Sequence, residues 1–457
     1  MRRPRRSEDY KEFNIVKGYS DSEIRFKESK GTDVAFIFPN SYSVAVSSLA
    51  FSWVKDLLIN HEVGVERFFY EKTFKKFYSL ETFRPLDEYG TWLFSLQFET
   101  DILNIARILK IKGIPILSKD RNPNHPKIVI GGPVTYFNYK APLQVADYVY
   151  RGDLEVYVKE FSRFMKGENI NIPSLCSHEN QDCKLAKVKD LNEMPPVGSI
   201  ISPYGEFKNK LLIEVGRGCI RRCAFCMIGH IQKPARFLRP EVLKDIVSKI
   251  PKNISLGIIS ATITDYPWQD EFINIFSDRK VSFSSMRMDR LTEGLLKLLI
   301  KSGQKSFTVA PEGGSQKIRD ILRKDISDRD IERALKLGSK VGFKKIKMYF
   351  IYGVPGETDE DLKDIVRLSL NAKRMNYEVK VSLNPLIPKP GTPFEGVKME
   401  DAKILKEKEK FLRNLLKKEG ISFHFESVKK SILQYEIANA DKNEIIEILA
   451  KYVGGNI

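Results

Sequence analysis

The sequence predicts an α/β protein with two successive parallel sheets and a helical C-terminal extension. Three observations predict this. Residues 31–160 alternate short apolar runs with helical spacing, the pattern of a doubly wound parallel sheet. Residues 204–395 repeat a strand–helix unit six times, and right-handed crossovers curve such a series into a partial barrel. Between them, residues 161–203 lose the periodicity and carry Pro173, Pro195, Pro196 and Pro203, as a linker does.

The elements follow in order. Residues 1–30 are polar and charged and read as an N-terminal arm. Val34-Ala35-Phe36-Ile37-Phe38 is a buried strand stopped by Pro39-Asn40, and 44–59 has helical apolar spacing. Strands are expected over 64–70 and 92–98, a helix over 102–109, and a short strand at Ile114-Pro115-Ile116. Ile128-Val129-Ile130 ends at Gly131-Gly132-Pro133, and Val149 leads into Gly152-Asp153-Leu154-Glu155. In the second region strands fall near 211–215, 255–260, 281–285, 306–310, 345–351 and 379–384. Helices fall over 241–250, 291–301, 315–322, 328–341 and 359–375. The extension, 396–457, begins with a helix carrying Ile404, Leu405, Phe411, Leu412, Leu415 and Leu416.

Composition bounds the function. At 457 residues and 42% hydrophobic, the chain is long enough for two or three cores and too apolar for disorder. No apolar run approaches a membrane span. Met1-Arg2-Arg3-Pro4-Arg5-Arg6 is basic but lacks the apolar stretch of a signal peptide. Five cysteines do not suggest a disulfide framework, so a reducing cytoplasm is expected. The net charge of +17 can attract nucleic acid or an acidic protein. Against nucleic acid, runs such as Lys406-Glu407-Lys408-Glu409-Lys410 interleave both signs, which is the pattern of a solvated helix face and of heat-adapted proteins.

The chemistry concentrates in one loop. Cys219, Cys223 and Cys226 fall within eight positions, just after the strand Leu211-Leu212-Ile213-Glu214-Val215. Three thiolates there can hold three corners of a cubic iron–sulfur cluster and leave the fourth iron open. Arg217, Arg221 and Arg222 make the loop electropositive, which favours thiolate over inert thiol. A Cys3His zinc site with His230 is the rival reading. The position at the C-terminal end of a strand is where α/β folds place their chemistry, and no second ligand pair at zinc-ribbon spacing follows. Cys176 and Cys183 lie in the linker at a spacing that fits no metal pair, and read as incidental.

The loop Gly-Arg-Gly-Cys-Ile-Arg-Arg-Cys-Ala-Phe-Cys, with Phe225 before the last cysteine, resembles that of radical S-adenosylmethionine (radical SAM) enzymes. The resemblance implies a 4Fe-4S cluster whose open iron chelates S-adenosylmethionine, and a 5'-deoxyadenosyl radical formed by reductive cleavage. The six βα units then correspond to the partial (β/α)6 radical SAM barrel. Phe38-Pro39-Asn40-Ser41-Tyr42, Phe94-Ser95-Leu96-Gln97, Gly131-Gly132-Pro133, Gly152-Asp153-Leu154-Glu155 and Pro388-Lys389-Pro390-Gly391-Thr392-Pro393-Phe394 extend it. Together they resemble an uncharacterised radical SAM family with a cobalamin-binding-like Rossmann domain, here residues 31–160.

The resemblance names further site residues. Glu312, in Ala310-Pro311-Glu312-Gly313-Gly314, matches the fourth-strand segment that faces S-adenosylmethionine. Its glycines allow close backbone approach, while a glutamate near a helix start also suits the helix dipole. Ile351 and Gly353 match the fifth-strand region against adenine, and Thr358 reads as a helix cap. Arg287, after Ser282-Phe283-Ser284-Ser285-Met286, is a candidate carboxylate partner or a surface arginine. At strand two the family's Gly-Gly-Glu is replaced by Ile259-Ser260-Ala261-Thr262, which leaves Ser260 and Thr262 as the polar stand-ins.

Cobalamin is a candidate second cofactor. The Asp-x-His-x-x-Gly run that carries a histidine ligand is missing, and residues 31–160 hold only His61 and His125. Cobalamin-dependent radical SAM methylases can hold the corrin without histidine. Ser95 and Gly131-Gly132 are candidate contacts for its nucleotide tail, or ordinary turn punctuation. With cobalamin the expected outcome is methyl transfer to an unactivated carbon; without it, hydrogen abstraction and rearrangement or coupling. The alternatives are methylthiolation of tRNA or a ribosomal protein, and a non-enzymatic zinc-bound RNA-binding protein. The expected partners are a substrate of unknown identity and a one-electron reductant such as flavodoxin or ferredoxin.

Overall fold

The structure, a computed structural model, describes residues 7–29, 31–283 and 286–454. The basic N-terminal hexapeptide and Ser284-Ser285 therefore lie outside the described residues. The described chain divides into two compact units. One comprises residues up to 189 with 196–213 and 437 onward; the other comprises 190–195 and 214–436.

The first unit holds β1 (Ile24–Arg25), β2 (Val34–Phe38), β3 (Val65–Phe69), β4 (Thr91–Ser95), β5 (Lys127–Gly131), β6 (Tyr148–Tyr150), β7 (Leu175–Cys176) and β8 (Ile200–Ile201). The sheet order is β3-β2-β4-β5-β6-β7. The first five strands in that order pair in parallel, and β7 closes the edge antiparallel to β6. All residues of β2, β3 and β4 are buried, as a sheet covered on both faces requires. The chain order reverses between β2 and β4, which makes their C-terminal ends the switch point of a doubly wound sheet.

Three expectations are corrected here. Ile114-Pro115-Ile116 is not a strand: Pro115 has no N–H for a ladder, and Arg121 Nη1 takes the carbonyls of Pro115 and Ile116 at 3.1 and 3.2 Å. Cys176 and Cys183 are not incidental: they form a disulfide. Both are buried, at 0% and 4% exposure, and the bridge ties the edge strand β7 to the loop that follows. Residues expected to form a polar arm contain the helix Ser7–Ser22, whose Phe13 and Val16 are buried.

The chain enters the second unit within β9 (Lys210–Arg217). It continues through β10 (Arg236–Phe237), β11 (Ser255–Ser260), β12 (Val281–Phe283), β13 (Ser306–Glu312), β14 (Lys345–Tyr352), β15 (Glu378–Pro385) and β16 (Ser422–Phe425). One sheet has the order β10-β9-β11-β12 and the other β13-β14-β15-β16. A parallel bridge between Met286 and Val309 joins them. The strands β9, β11, β12, β13, β14 and β15 thus follow one another as in a partial barrel, with β11–β12, β13–β14 and β14–β15 parallel. The extension is not purely helical: after the helix Ala402–Lys418, β16 adds a seventh strand parallel to β15.

Local chemistry explains the helix starts. Ser327 and Thr358 form capping boxes with Asp330 and Asp361, opening helices Asp328–Val341 and Asp359–Arg374. Gly342, with φ +108°, ends the first of them in the left-handed conformation that glycine tolerates.

Candidate active site in the second unit

β9 delivers the cysteine loop at its C-terminal end. Gly218 has φ +79°, and a Cβ there would lie 2.4 Å from the Gln232 carbonyl, so only glycine lets the loop turn here. Behind the loop, a Cβ on Gly229 would lie 2.0 Å from the Arg221 carbonyl. The short helix Ile228–Ile231 can therefore sit directly against it. Within the loop, Cys226 N–H donates to the Cys223 carbonyl at 3.1 Å, and Ala224 N–H donates to the Leu322 carbonyl at 2.8 Å. Below it, Ala224, Ile318, Leu322, Ile351, Val354, Leu386 and Phe394 form an apolar floor, with Phe225 packed at its margin.

Cys223 is buried, while Cys219 and Cys226 are partly exposed. Burial pushes the Cys219 and Cys223 thiols up; the Arg221 backbone N–H acts against this at Cys219, and Lys324 and Arg287 act against it at Cys223. Arg221 N–H donates to Cys219 Sγ at 3.3 Å, and Arg287 Nη1 reaches Cys223 Sγ at 3.9 Å. His230 is not turned toward the sulfurs, because its Nε2 donates to the Cys223 carbonyl at 3.0 Å. Among the described residues no three His, Cys, Asp or Glu side chains converge as on a single metal ion. The bond to the Cys223 carbonyl turns His230 away from a Cys3His zinc set.

A chain of buried and half-buried ions surrounds the loop. Arg221 forms a two-pronged pair with Asp265, at 3.0 and 2.6 Å, and Thr262 Oγ1 donates to the same carboxylate at 2.6 Å. Burial opposes the charge on Asp265, and these hydrogen bonds outweigh it, so its carboxyl lies below the usual range. Asp289 lies 3.4 Å from Arg221 and takes Arg287 Nε at 2.9 Å. Arg287 Nη2 donates to the Lys324 carbonyl at 2.6 Å. Lys324 Nζ in turn lies 3.2 Å from Glu312 Oε1 and 5.9 Å from the Phe225 ring centre.

Four of the residues singled out in the sequence, Cys223, Phe225, Arg287 and Glu312, therefore meet around Lys324. Arg287 is no surface residue, being 5% exposed. Glu312 is aimed by a register shift in β13 and by φ +67°, as bulges near sites do. Arg323 and Asp325, on either side of Lys324, also have positive φ, at +48° and +53°. Such backbone costs on the order of 1 kcal/mol per residue and concentrates at functional sites.

Other residues fall elsewhere. Ser260 ends β11 beside β9, its Oγ 3.0 Å from where a Cβ of Gly216 would stand. Gly353 faces away from this group: a Cβ there would meet Leu405 at 2.6 Å and Glu400 at 3.1 Å. Gly313 and Gly314 serve helix packing rather than ligand approach, since added Cβ atoms would meet Arg319 N at 2.8 Å and Ile365 N at 2.5 Å. Lys324, Asp265 and Asp289 were missed in the sequence. Their only local signal is a charge just past a strand end or a helix end.

In the first unit, the switch point opens into a cleft of about 610 Å³ lined by Phe38, Ser43, Val44, Ser47, Gln97 and Phe98, among others. The expected contacts for a cobalamin tail are otherwise engaged. Gln97 Nε2 donates to Ser95 Oγ at 2.7 Å. Gly132, with φ +113°, lies so close to Leu96 that a Cβ would fall 2.6 Å from its carbonyl. These two contacts order the β4–β5 junction beside the cleft.

Residues 213–369 match the radical SAM superfamily, and residues 61–182 match radical SAM proteins, N-terminal. The uncharacterized protein MJ0966 of Methanocaldococcus jannaschii is 32% identical over 435 residues, covering 92% of this chain and 90% of that protein. A tRNA-2-methylthio-N(6)-dimethylallyladenosine synthase of Nitratiruptor sp. is 24% identical over 216 residues, covering 41% of this chain and 47% of that one. Among solved structures, the cobalamin-dependent S-adenosylmethionine radical enzyme OxsB with aqua-cobalamin bound superposes with a TM-score of 0.56 at 14% identity. That match covers 85% of this chain and 62% of OxsB, so this chain spans less than two thirds of that enzyme's length. The cysteine loop, the six-stranded barrel and the full-length relative agree: the chain belongs to the radical SAM superfamily, in one family with MJ0966.

Proposed function

We propose that this protein is an enzyme that cleaves S-adenosylmethionine reductively and uses the 5'-deoxyadenosyl radical to take a hydrogen atom from its substrate. Cys219, Cys223 and Cys226 hold the 4Fe-4S cluster. When bound, the cluster supplies an open iron for S-adenosylmethionine and the electron that breaks its sulfonium carbon–sulfur bond. The observation that carries this reading is the set of three thiols at the C-terminal edge of the barrel, flanked by the buried cations Arg287 and Lys324.

The residues divide the work. The apolar floor under Ala224 and Phe225 keeps water from one side of the loop. The Arg221–Asp265 pair holds the loop to the end of β11. Glu312, Ser260 and Phe225 are the proposed partners of S-adenosylmethionine, with Lys324 as the cation that sets the direction of the Glu312 carboxylate. In this reading Gly353 supports the turn after β14 instead of adenine. A one-electron reductant such as flavodoxin or ferredoxin is the proposed partner. The methylthiotransferase relatives leave tRNA or protein modification as the second class of substrate. No step is assigned to cobalamin.

The test is anaerobic purification, reconstitution with iron and sulfide, reduction, and assay of S-adenosylmethionine cleavage beside Cys223→Ala. Formation of 5'-deoxyadenosine that is lost in the variant supports the reading. A protein that takes up zinc, forms no cluster and cleaves nothing overturns it. A corrin retained through purification would instead turn the reading to methyl transfer.

A further inference from the structure

We propose that Arg287 is a positioning residue for the cluster, its guanidinium holding a hydrogen bond to the Cys223 thiolate that makes the cluster easier to reduce. This rests on the cluster assignment above.

The guanidinium is fixed on two of its three nitrogens. Nε donates to Asp289 Oδ1 at 2.9 Å and Nη2 to the Lys324 carbonyl at 2.6 Å. Its own backbone N–H is held by Thr264 Oγ1 at 3.2 Å. A planar fork held at two points has little freedom at the third, and that third nitrogen, Nη1, faces Cys223 Sγ at 3.9 Å. At 5% exposure, water does not compete for it. Asp289 is shared with Arg221, which Asp265 also pairs, and Lys324 stands beside Arg287 as a second cation acting on Cys223.

One-electron reduction adds a negative charge to the cluster. A buried cation and an N–H donor beside a cluster thiolate stabilise the more negative state, and hydrogen bonds to the sulfurs are among the groups that set such potentials. Cys219 receives a backbone N–H in the same manner. Arg287 differs in being a full charge.

The experiment is a redox titration, followed by electron paramagnetic resonance, of reconstituted wild type, Arg287→Gln and Arg287→Lys. At the wild-type midpoint, the ratio of reduced to oxidised cluster is expected to fall about tenfold in R287Q, which for one electron is about 59 mV. R287K, which keeps the charge, is expected to shift less. An unchanged midpoint in R287Q with full iron and sulfide content overturns the proposal, as does an equal shift in both variants. Should R287Q hold no cluster, wild type labelled with 15N at the guanidino nitrogens of arginine decides. A nitrogen hyperfine coupling to the reduced cluster supports the proposal and its absence overturns it. A wild type that forms no cluster at all sinks the functional reading instead, so the two failures are distinct.

Discussion

Each unit buries a network of charges, and the two networks are built differently. In the first, Arg67 is fully buried between Glu23, at 3.0 and 2.6 Å, and Glu81, at 2.6 Å. Arg25 and the Tyr42 hydroxyl complete the shell around Glu23. There Arg67 donates to both carboxylates and faces no reactive group. In the second, Arg287 and Lys324 are similarly buried, but both also face Cys223, whose thiol they pull down against burial. A closed network fixes a fold; an open one projects field onto a reacting group.

The largest expected effect lies on the open side. Cys223→Ala should reduce 5'-deoxyadenosine formation to background while leaving the fold intact, since the side chain makes no structural bridge; circular dichroism and the cleavage assay together check this. On the closed side the effect should be on stability alone. Arg67→Met strands two buried carboxylates and should cost about 3–5 kcal/mol, read as the urea midpoint of the variant.

Acid should reach the closed network next. Burial raises the Glu23 carboxyl, but Arg67 and Arg25 outweigh it and hold it down at about 2, against an ordinary 4.5. A depressed acid contributes stability that is full above its unfolded value and is lost as pH falls. That loss, about 3 kcal/mol by linkage, should therefore run from about pH 4.5 down to about 2 in wild type and be absent in Glu23→Gln. Removing the disulfide with Cys183→Ser should cost about 2.5 kcal/mol from loop entropy. An unchanged melting temperature would mean that the β6–β7 pairing holds without it.

The smallest effect has the opposite sign. Asp101 is 2% exposed and has one oxygen with no partner among the described residues. Burial pushes its carboxyl up to about 7. A raised acid favours the fold below its unfolded value, and this is lost as pH rises from about 4 to about 7. Asp101→Asn should keep the bond from Asn40 but leave its own buried amide N–H without a partner, so that only on the order of 1 kcal/mol of the stability lost to the carboxylate is regained at pH 8. A variant no more stable than wild type at pH 8 would show that the carboxylate is solvated there.

Much of the frame was legible in the residues. β11 spans Ser255–Ser260 and β2 spans Val34–Phe38, as expected from apolar runs, because a strand buried on both faces needs unbroken apolar sequence. Helix Asp328–Val341 also fell where its cap and its glycine place it. The failures were local patterns overruled by a distant partner. Ile114-Pro115-Ile116 has strand-like side chains, but Arg121 captures its carbonyls. The two linker cysteines matched no spacing rule, because disulfide pairing depends on where backbones lie in space.

The same boundary runs through the site. Cysteine spacing, strand position and the basic residues of the loop are set within a few bonds of one another, so the sequence alone determined the family and the barrel. Lys324 follows a helix and Asp289 follows a strand, and nothing in either neighbourhood marks them. Only tertiary structure decided that Arg287 faces a sulfur and that Lys324 lies between Glu312 and Phe225. The direction of a buried charge is set by whichever opposite charge the fold brings near, and that partner lies 44 residues away for Arg221 and Asp265 and 12 for Lys324 and Glu312.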